Sequence, residues 1–257
     1  MTYNNKVAVG VIAFLLALMV VVFLVFMLPD WGAKVPEVET PVAAPLPTPE
    51  PTPSLQERLS QRLKGTTLNT SDTVISELAA QLSARPELTT WLVNEDLVRR
   101  FVASVDNISE GISPRQHLEF MAPDGAFQVQ ERGDRLVVAP ASYRRYDTVA
   151  AVVDSLDTQG TAALYRELEP LIDEAYAEIS PRGASFRDRL AEVFDELLAV
   201  PVLSGDVEVE QKVVTYTYAD PRLEGLTAAQ RQLLRMGPDN VAVIQAKIRE
   251  IKAALGM

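Results

Sequence analysis

Acidic side chains crowd two stretches of this 257-residue chain. Glu167, Glu169, Asp173, Glu174 and Glu178 follow one another along one stretch, and Asp188, Glu192, Asp195 and Glu196 along the next. Glycoside hydrolysis needs only two carboxyl groups, roughly 5–9.5 Å apart, one acting as acid and the other as base or nucleophile. Such ladders also suit a solvated helix face partly paired with arginine, and Arg166, Arg182, Arg187 and Arg189 are interleaved with these acids. The paired face is the expectation. A second constellation is "YRRY", Tyr143 to Tyr146, which could contact an anion or an aromatic group. Arginines at a helix start also serve local ion pairs, and that is the plainer reading.

Other chemistries are poorly supplied. His117 is the one histidine, in "SPRQHLEF", and no G-x-S-x-G elbow accompanies it to make a Ser-His-Asp triad. A single histidine cannot provide an HExxH zinc site or the Glu-x-x-His pairs of a di-metal bundle. Without cysteine there is no disulfide, thiolate nucleophile or Cys-based zinc site. No G-x-x-x-x-G-K-S/T or G-x-G-x-x-G loop is present to cradle phosphates. No residue is therefore singled out as catalytic, cofactor-binding or metal-binding, and no cofactor is expected. A net charge of −11 argues against nucleic acid, whose phosphates need clustered cations. The charge is uneven. Asp147 to Glu196 holds twelve acidic residues against four arginines, whereas Arg222 to Met257 holds six basic residues against three acidic ones.

These residues sit downstream of a distinctive leader. "VAVGVIAFLLALMVVVFLVFML", residues 7–28, carries no charge and no amide. At 1.5 Å per residue it crosses a hydrocarbon core of roughly 30 Å. It is too long for the apolar region of a cleaved signal peptide, and no A-x-A site follows it. Trp31 suits an interfacial anchor. The expectation is one permanent span in contact with the lipid bilayer. Lys6 biases residues 1–6 to the cytoplasm, which places the remainder outside. Residues 29–53 form a linker with a proline-rich, mildly acidic core, "VPEVETPVAAPLPTPEPTPS" continuing to Ser54. Proline fixes φ and lacks an N–H, so polyproline II is expected, at about 3.1 Å per residue. Pro36 to Pro53 would hold a domain up to about 55 Å from the bilayer. Stand-off is its expected role.

Residues 54–257 are expected to fold as one mostly helical α+β domain with two short β-hairpins. Ser54 and Glu57 match a capping box opening a short helix that Gly65 stops. Apolar spacing predicts a helix from Asp72 toward Pro86, and another through "EDLVRRFVASVDNISEG" with Leu97, Val98, Phe101, Val102 and Val105 inward. "FQVQERGDRLVVAP" alternates about a Gly-containing turn and predicts a hairpin. Its Arg132-Gly133-Asp134 matches an adhesion tripeptide, but turn chemistry explains each residue. Helices resume from Tyr143 to Ile179, with Pro170 expected to kink or divide the last, and again through "SFRDRLAEVFDELLAV". "DVEVE" and "KVVTYTY" predict a second hairpin. Thr227, with Gln230 in the box position, caps a helix to Met236, and a final helix runs from Pro238 to Leu255. Its stripe of Val241, Ile244, Ile248, Ile251 and Leu255 is expected to pack into the core, with Gln245, Lys247, Arg249, Glu250 and Lys252 opposite.

Taken together, "DLVRRFVASVDNISEG", "YRRYDTVAAVVDSLD", "FRDRLAEVFDELL" and "TYTYADPRLEGLTAAQRQLLRMGPDNVAVIQAKIREI" resemble one family of bacterial membrane-anchored proteins, known as a domain of unknown function. The likeness covers most of residues 72–255, and the leader of span and proline-rich linker is similar too. It implies a Gram-negative envelope location and supplies no catalytic residue. The function expected is a non-enzymatic interaction or accessory module, single-pass in the inner membrane with a periplasmic domain, acting on an envelope protein partner. A carboxylate-dependent hydrolase of envelope glycan and a ligand-binding envelope sensor are the alternatives.

Overall fold

Ser54 opens the first helix as its sequence requires. Its hydroxyl accepts the Glu57 N–H and the Glu57 carboxylate accepts the Ser54 N–H, closing both halves of the box over α1 (Leu55–Leu63). The computed structural model describes residues 53–257 except 120, 121 and 214. The tail 1–6, the span 7–28 and all but the last residue of the linker lie outside the described residues. Among the described residues no helix is long and apolar enough to cross a membrane.

After a 3₁₀ turn at Leu68–Thr70 come α2 (Asp72–Ala80), α3 (Pro86–Trp91) and α4 (Leu97–Ser109). Pro86 does more than stop a helix: it occupies the first turn of α3, where its missing N–H costs nothing. The start of α4 is fixed from outside. Asp72, in the first turn of α2, accepts the N–H groups of Asp96 and Leu97 at 2.7 and 2.9 Å. Those donors lack intrahelical partners, and the two bonds hold Asp96 in a left-handed conformation with φ 58°. All five apolar residues expected inward on α4 are buried.

A 3₁₀ turn at Pro114–His117 leads to β1 (Val129–Arg132) and β2 (Arg135–Val138), antiparallel about Gly133-Asp134. Gly133 has φ 65° at the first turn position, where glycine meets the positive-φ requirement of a tight hairpin. Next are α5 (Pro140–Arg144), α6 (Asp147–Asp154), α7 (Thr158–Ala177) and α8 (Phe186–Leu198). The second hairpin is β3 (Val209–Gln211) against β4 (Tyr216–Tyr218). The two hairpins are joined: Val137 bridges Glu208, and the Val138 N–H donates to Val207 O at 2.9 Å. Val138, Val207 and Val209 make a small core of their own there. The chain ends with α9 (Pro221–Glu224), α10 (Ala228–Leu234) and α11 (Pro238–Leu255).

The main core lies among α4, α7, α8 and α11, with α1 and α6 on its flanks. Helix α7 is unbroken through Pro170. That proline is exposed while Leu168 and Ile172 are fully buried. Burial on the core side outweighs one lost hydrogen bond on the wet side. The α11 stripe is buried as expected, but the opposite face is not all exposed. Gln245 is 2% exposed and Lys247 8%. The Gln245 amide donates to the carbonyls of Leu197, Leu198 and Val200 at 3.0, 3.3 and 2.8 Å, serving the last acceptors of α8. The Lys247 ammonium donates to Leu156 O at 2.9 Å and pairs with Glu250 at 2.8 Å. A polar residue can be a core residue when a neighbouring helix ends against it.

Candidate functional site

The carboxylate ladders are largely spent on joining elements. Glu178 receives a forked pair from Arg99 at 2.7 and 2.9 Å, tying the end of α7 to α4, and this bond holds its carboxyl below the usual range. Glu169 pairs with Arg187 at 3.4 Å, and Asp195 with Lys252. Glu167 accepts from Ser60 and Gln56 of α1. Glu196 accepts the Thr227 hydroxyl at 2.7 Å, at the cap of α10. Glu192 pairs with Arg189 at 3.1 Å, and Arg189 also reaches Asp106 and Glu110 of the α4 segment at 3.6 and 3.3 Å. The carboxylates of Asp173, Glu174 and Asp188 make no hydrogen bond or ion pair among the described residues; the Asp188 N–H donates to the Ser185 hydroxyl at 3.2 Å.

The two acids that share a hollow are Glu169 and Asp173. They line a cleft of about 520 Å³ with Tyr165, Tyr176 and Arg187, under the loop from Ser180 to Ser185. Burial pushes the Tyr165 phenol above its ordinary value, so it stays protonated.

A larger cleft, of about 590 Å³, has the opposite chemistry. Arg115, Arg145 and Arg235 line it together with the rings of Phe127, Tyr146 and Tyr216, and among the described residues no aspartate or glutamate belongs to the lining. Glu119 and Asp124 stand exposed in the adjacent loop. Five separate segments contribute. The 3₁₀ turn brings Pro114 and Arg115, and the loop before β1 brings Pro123 and Phe127. The α5–α6 junction brings Arg145 and Tyr146, the β3–β4 hairpin brings Tyr216, and the end of α10 brings Gln232 and Arg235.

Local bonds hold these segments in place. The fully buried Ser142 hydroxyl accepts the Gln128 N–H at 2.7 Å and donates to Gln128 O at 2.8 Å, locking the loop to α5. Arg145 donates to Ser142 O at 3.1 Å and to Gly125 O at 2.9 Å, with its guanidinium 5.5 Å from the Tyr146 ring centre. That arginine is therefore fixed in orientation while keeping its charge. The Phe127 and Tyr216 rings meet at 5.5 Å, closing the rim between loop and hairpin. Next in the chain to Met236 of the lining, Gly237 has φ 87°, and a Cβ there would lie 2.4 Å from Tyr143 Cγ. The Asn240 amide donates to Tyr143 O, Met236 O and Asp147 at 3.2, 2.9 and 3.0 Å, pinning α11 there.

Arg115 and Arg235 differ from most described cations: neither guanidinium makes a hydrogen bond or ion pair with another described residue. Two arginines and a third fixed one, beside three rings, are the group types that pair with carboxylates or phosphates and stack on flat surfaces. "YRRY" is the part of this cleft that the sequence singles out, and Arg145 does serve local bonds, though to carbonyls rather than to an acid. Of its four residues, Arg145 and Tyr146 reach the cleft, Arg144 is exposed, and Tyr143 packs on Gly237. Burial pushes the Tyr143 phenol up to about 12, which makes it a neutral packing group. His117 does not line the cleft; half-buried at the end of its turn, it contacts Gln116 at 3.1 Å. Burial, then the Arg100 charge, lowers its pKa. Arg115, Phe127, Tyr216 and Arg235 carried no signal of their own, being scattered over some 120 positions.

No curated protein and no solved structure matches the chain. The family model described as "Protein of unknown function (DUF3014)" matches residues 97–252, a region that contains every residue of the arginine-lined cleft. That match covers more than half of the chain, which therefore belongs to the DUF3014 family.

Proposed function

We propose that the chain is a membrane-anchored binding module, without catalytic activity, that recognises an anionic partner in the periplasm through the arginine–aromatic cleft. One observation carries the reading. In a chain of net charge −11, the cleft gathers three arginines and, among the described residues, no acidic one in its lining. An anion entering the cleft would meet all three positive charges on one side. Residues 7–28 would serve as the span and the proline-rich linker as the spacer, keeping the cleft clear of the headgroups. The partner expected is an envelope protein with an exposed acidic segment.

A photo-crosslinking residue in place of Gln232, in full-length protein in cells, tests the recognition surface. Capture of a defined partner is expected from position 232 and not from position 174 on the acidic ladder. It should be lost in Arg115→Gln/Arg235→Gln. Capture unaffected by that double change would remove the cleft from recognition. A reporter active only in the periplasm, fused after Met257, tests the orientation; activity of a cytoplasm-only reporter instead would reverse it.

Hydrolysis of envelope glycan remains as a second reading on one observation, the shared cleft of Glu169 and Asp173 beside two tyrosines. It requires Glu169→Gln or Asp173→Asn to abolish release of sugar fragments from isolated cell-wall glycan. Absence of any release by the unaltered protein would end it.

A further inference from the structure

We propose that the arginine–aromatic cleft takes an extended, acidic, proline-containing peptide, and that the chain's own segment 35–41, "VPEVETP", is such an occupant. This rests on the reading of that cleft as an anion-binding surface and adds which anion fills it.

Three properties match. The first is charge. Between Val35 and Ser54 the chain carries Glu37, Glu39 and Glu50 and no basic residue, while the cleft has arginines and, among the described residues, no acid in its lining. Glu37 and Glu39 are the two carboxylates closest together. In a polyproline II chain, with three residues per turn, they stand about 6 Å apart along the axis and point to different sides. Arg115 and Arg235, whose guanidiniums have no hydrogen bond or ion pair among the described residues, come from the 3₁₀ turn and the end of α10. Two carboxylates facing different ways suit two arginines on different walls.

The second is the apolar surface. Pro36 and Pro41 flank the glutamates. Pre-extended proline segments dock on aromatic-lined grooves at small entropic cost, and this cleft offers Phe127, Tyr146 and Tyr216. The third is reach. From Glu37 to Pro53, where the described residues begin, an extended chain covers about 50 Å. A domain of this size is about 45 Å across by the usual scaling. The tether is long enough to bring segment 35–41 to most of the surface.

The consequence is mechanical. With the segment docked, only a few residues separate the cleft from the expected span, so the domain is drawn toward the bilayer. When a stronger acidic partner displaces it, the spacer is free to extend and the domain reaches outward. The same arginines would then both sense the partner and set the reach.

The chain contains no cysteine, which allows a clean test in the full-length protein in nanodiscs. Thr40→Cys is paired with Gln232→Cys beside the cleft, or with Gln159→Cys at an exposed site on α7, and treated with a short bismaleimide. An intramolecular crosslink several-fold stronger for 40–232 than for 40–159 is expected. Glu37→Lys/Glu39→Lys should reduce it to the control level, and Arg115→Glu/Arg235→Glu in the same chain should restore it. Equal yields for the two pairs, or a yield indifferent to charge reversal, overturns the spacer as occupant. So does a crosslink that forms only between separate chains carrying one cysteine each, which would make a second copy the occupant. None of these results depends on partner capture from position 232. Loss of that capture in Arg115→Gln/Arg235→Gln, without a 40–232 crosslink, would leave the cleft an anion site and remove only the spacer from it.

Discussion

The acidic ladder of α7–α8 and the arginine cleft are both dense in charge, yet they do different things with it. On the ladder most carboxylates end on a cation or hydroxyl of another element: Glu178 on Arg99, Asp195 on Lys252, Glu196 on Thr227. In the cleft, Arg115 and Arg235 end on no described residue, and Arg145 spends its hydrogen bonds on orientation. Charge that is paired across elements is part of the framework. Charge gathered without a counter-ion adds nothing to the framework and, on the proposed reading, serves something that binds.

That contrast can be broken or sharpened by substitution. The largest loss is expected in the apolar core that both regions rest on. Ile248→Ala in α11 should cost about 2–5 kcal/mol, measured by denaturant unfolding. An unchanged midpoint would show the stripe to be a docking face rather than core. Next is the residue that follows Met236 of the cleft lining. Gly237 has φ 87° and ψ 161°, a region open to glycine almost alone. Gly237→Ala should therefore cost about 2–3 kcal/mol through strain and the clash with Tyr143. A stable variant would mean that α11 can shift from Tyr143 freely. On the ladder, Arg189→Met should cost about 1 kcal/mol, because one guanidinium serves Asp106, Glu110 and Glu192. No change at all would reclassify that network as surface decoration.

The smallest effect concerns pH. His117 has its pKa lowered from 6.5, so the folded chain favours the neutral ring. As pH falls below the unfolded value, the unfolded state binds the proton first. The contribution is present above about pH 6.5 and is lost as pH falls through the folded value. His117→Gln should flatten that part of the stability–pH curve; an unaltered slope would contradict the assignment.

Much of the framework is legible in the sequence because it is local. Capping boxes at Ser54 and Thr227 were complete as read, and the α4 and α11 stripes are buried. The Gly133-Asp134 turn gave its hairpin. Non-local facts were not legible. Pro170 stays within α7 because Leu168 and Ile172 are clamped by neighbours, and Gln245 is buried because α8 happens to end against it. The bridge from Val137 to Glu208 likewise joins residues no pattern connects. The cleft is the extreme case. "YRRY" marks one wall, but Arg115 and Arg235 are ordinary until the fold places them beside the same hollow.

Thermal unfolding of Arg115→Gln/Arg235→Gln tests most directly whether these arginines are held for a ligand rather than for the fold. With no side-chain hydrogen bond or ion pair to a described residue to lose, the variant should melt at the same temperature as the unaltered chain. A fall of several degrees, equivalent to roughly 1–2 kcal/mol in a domain of this size, would mean that the two side chains belong to the framework and would contradict the account.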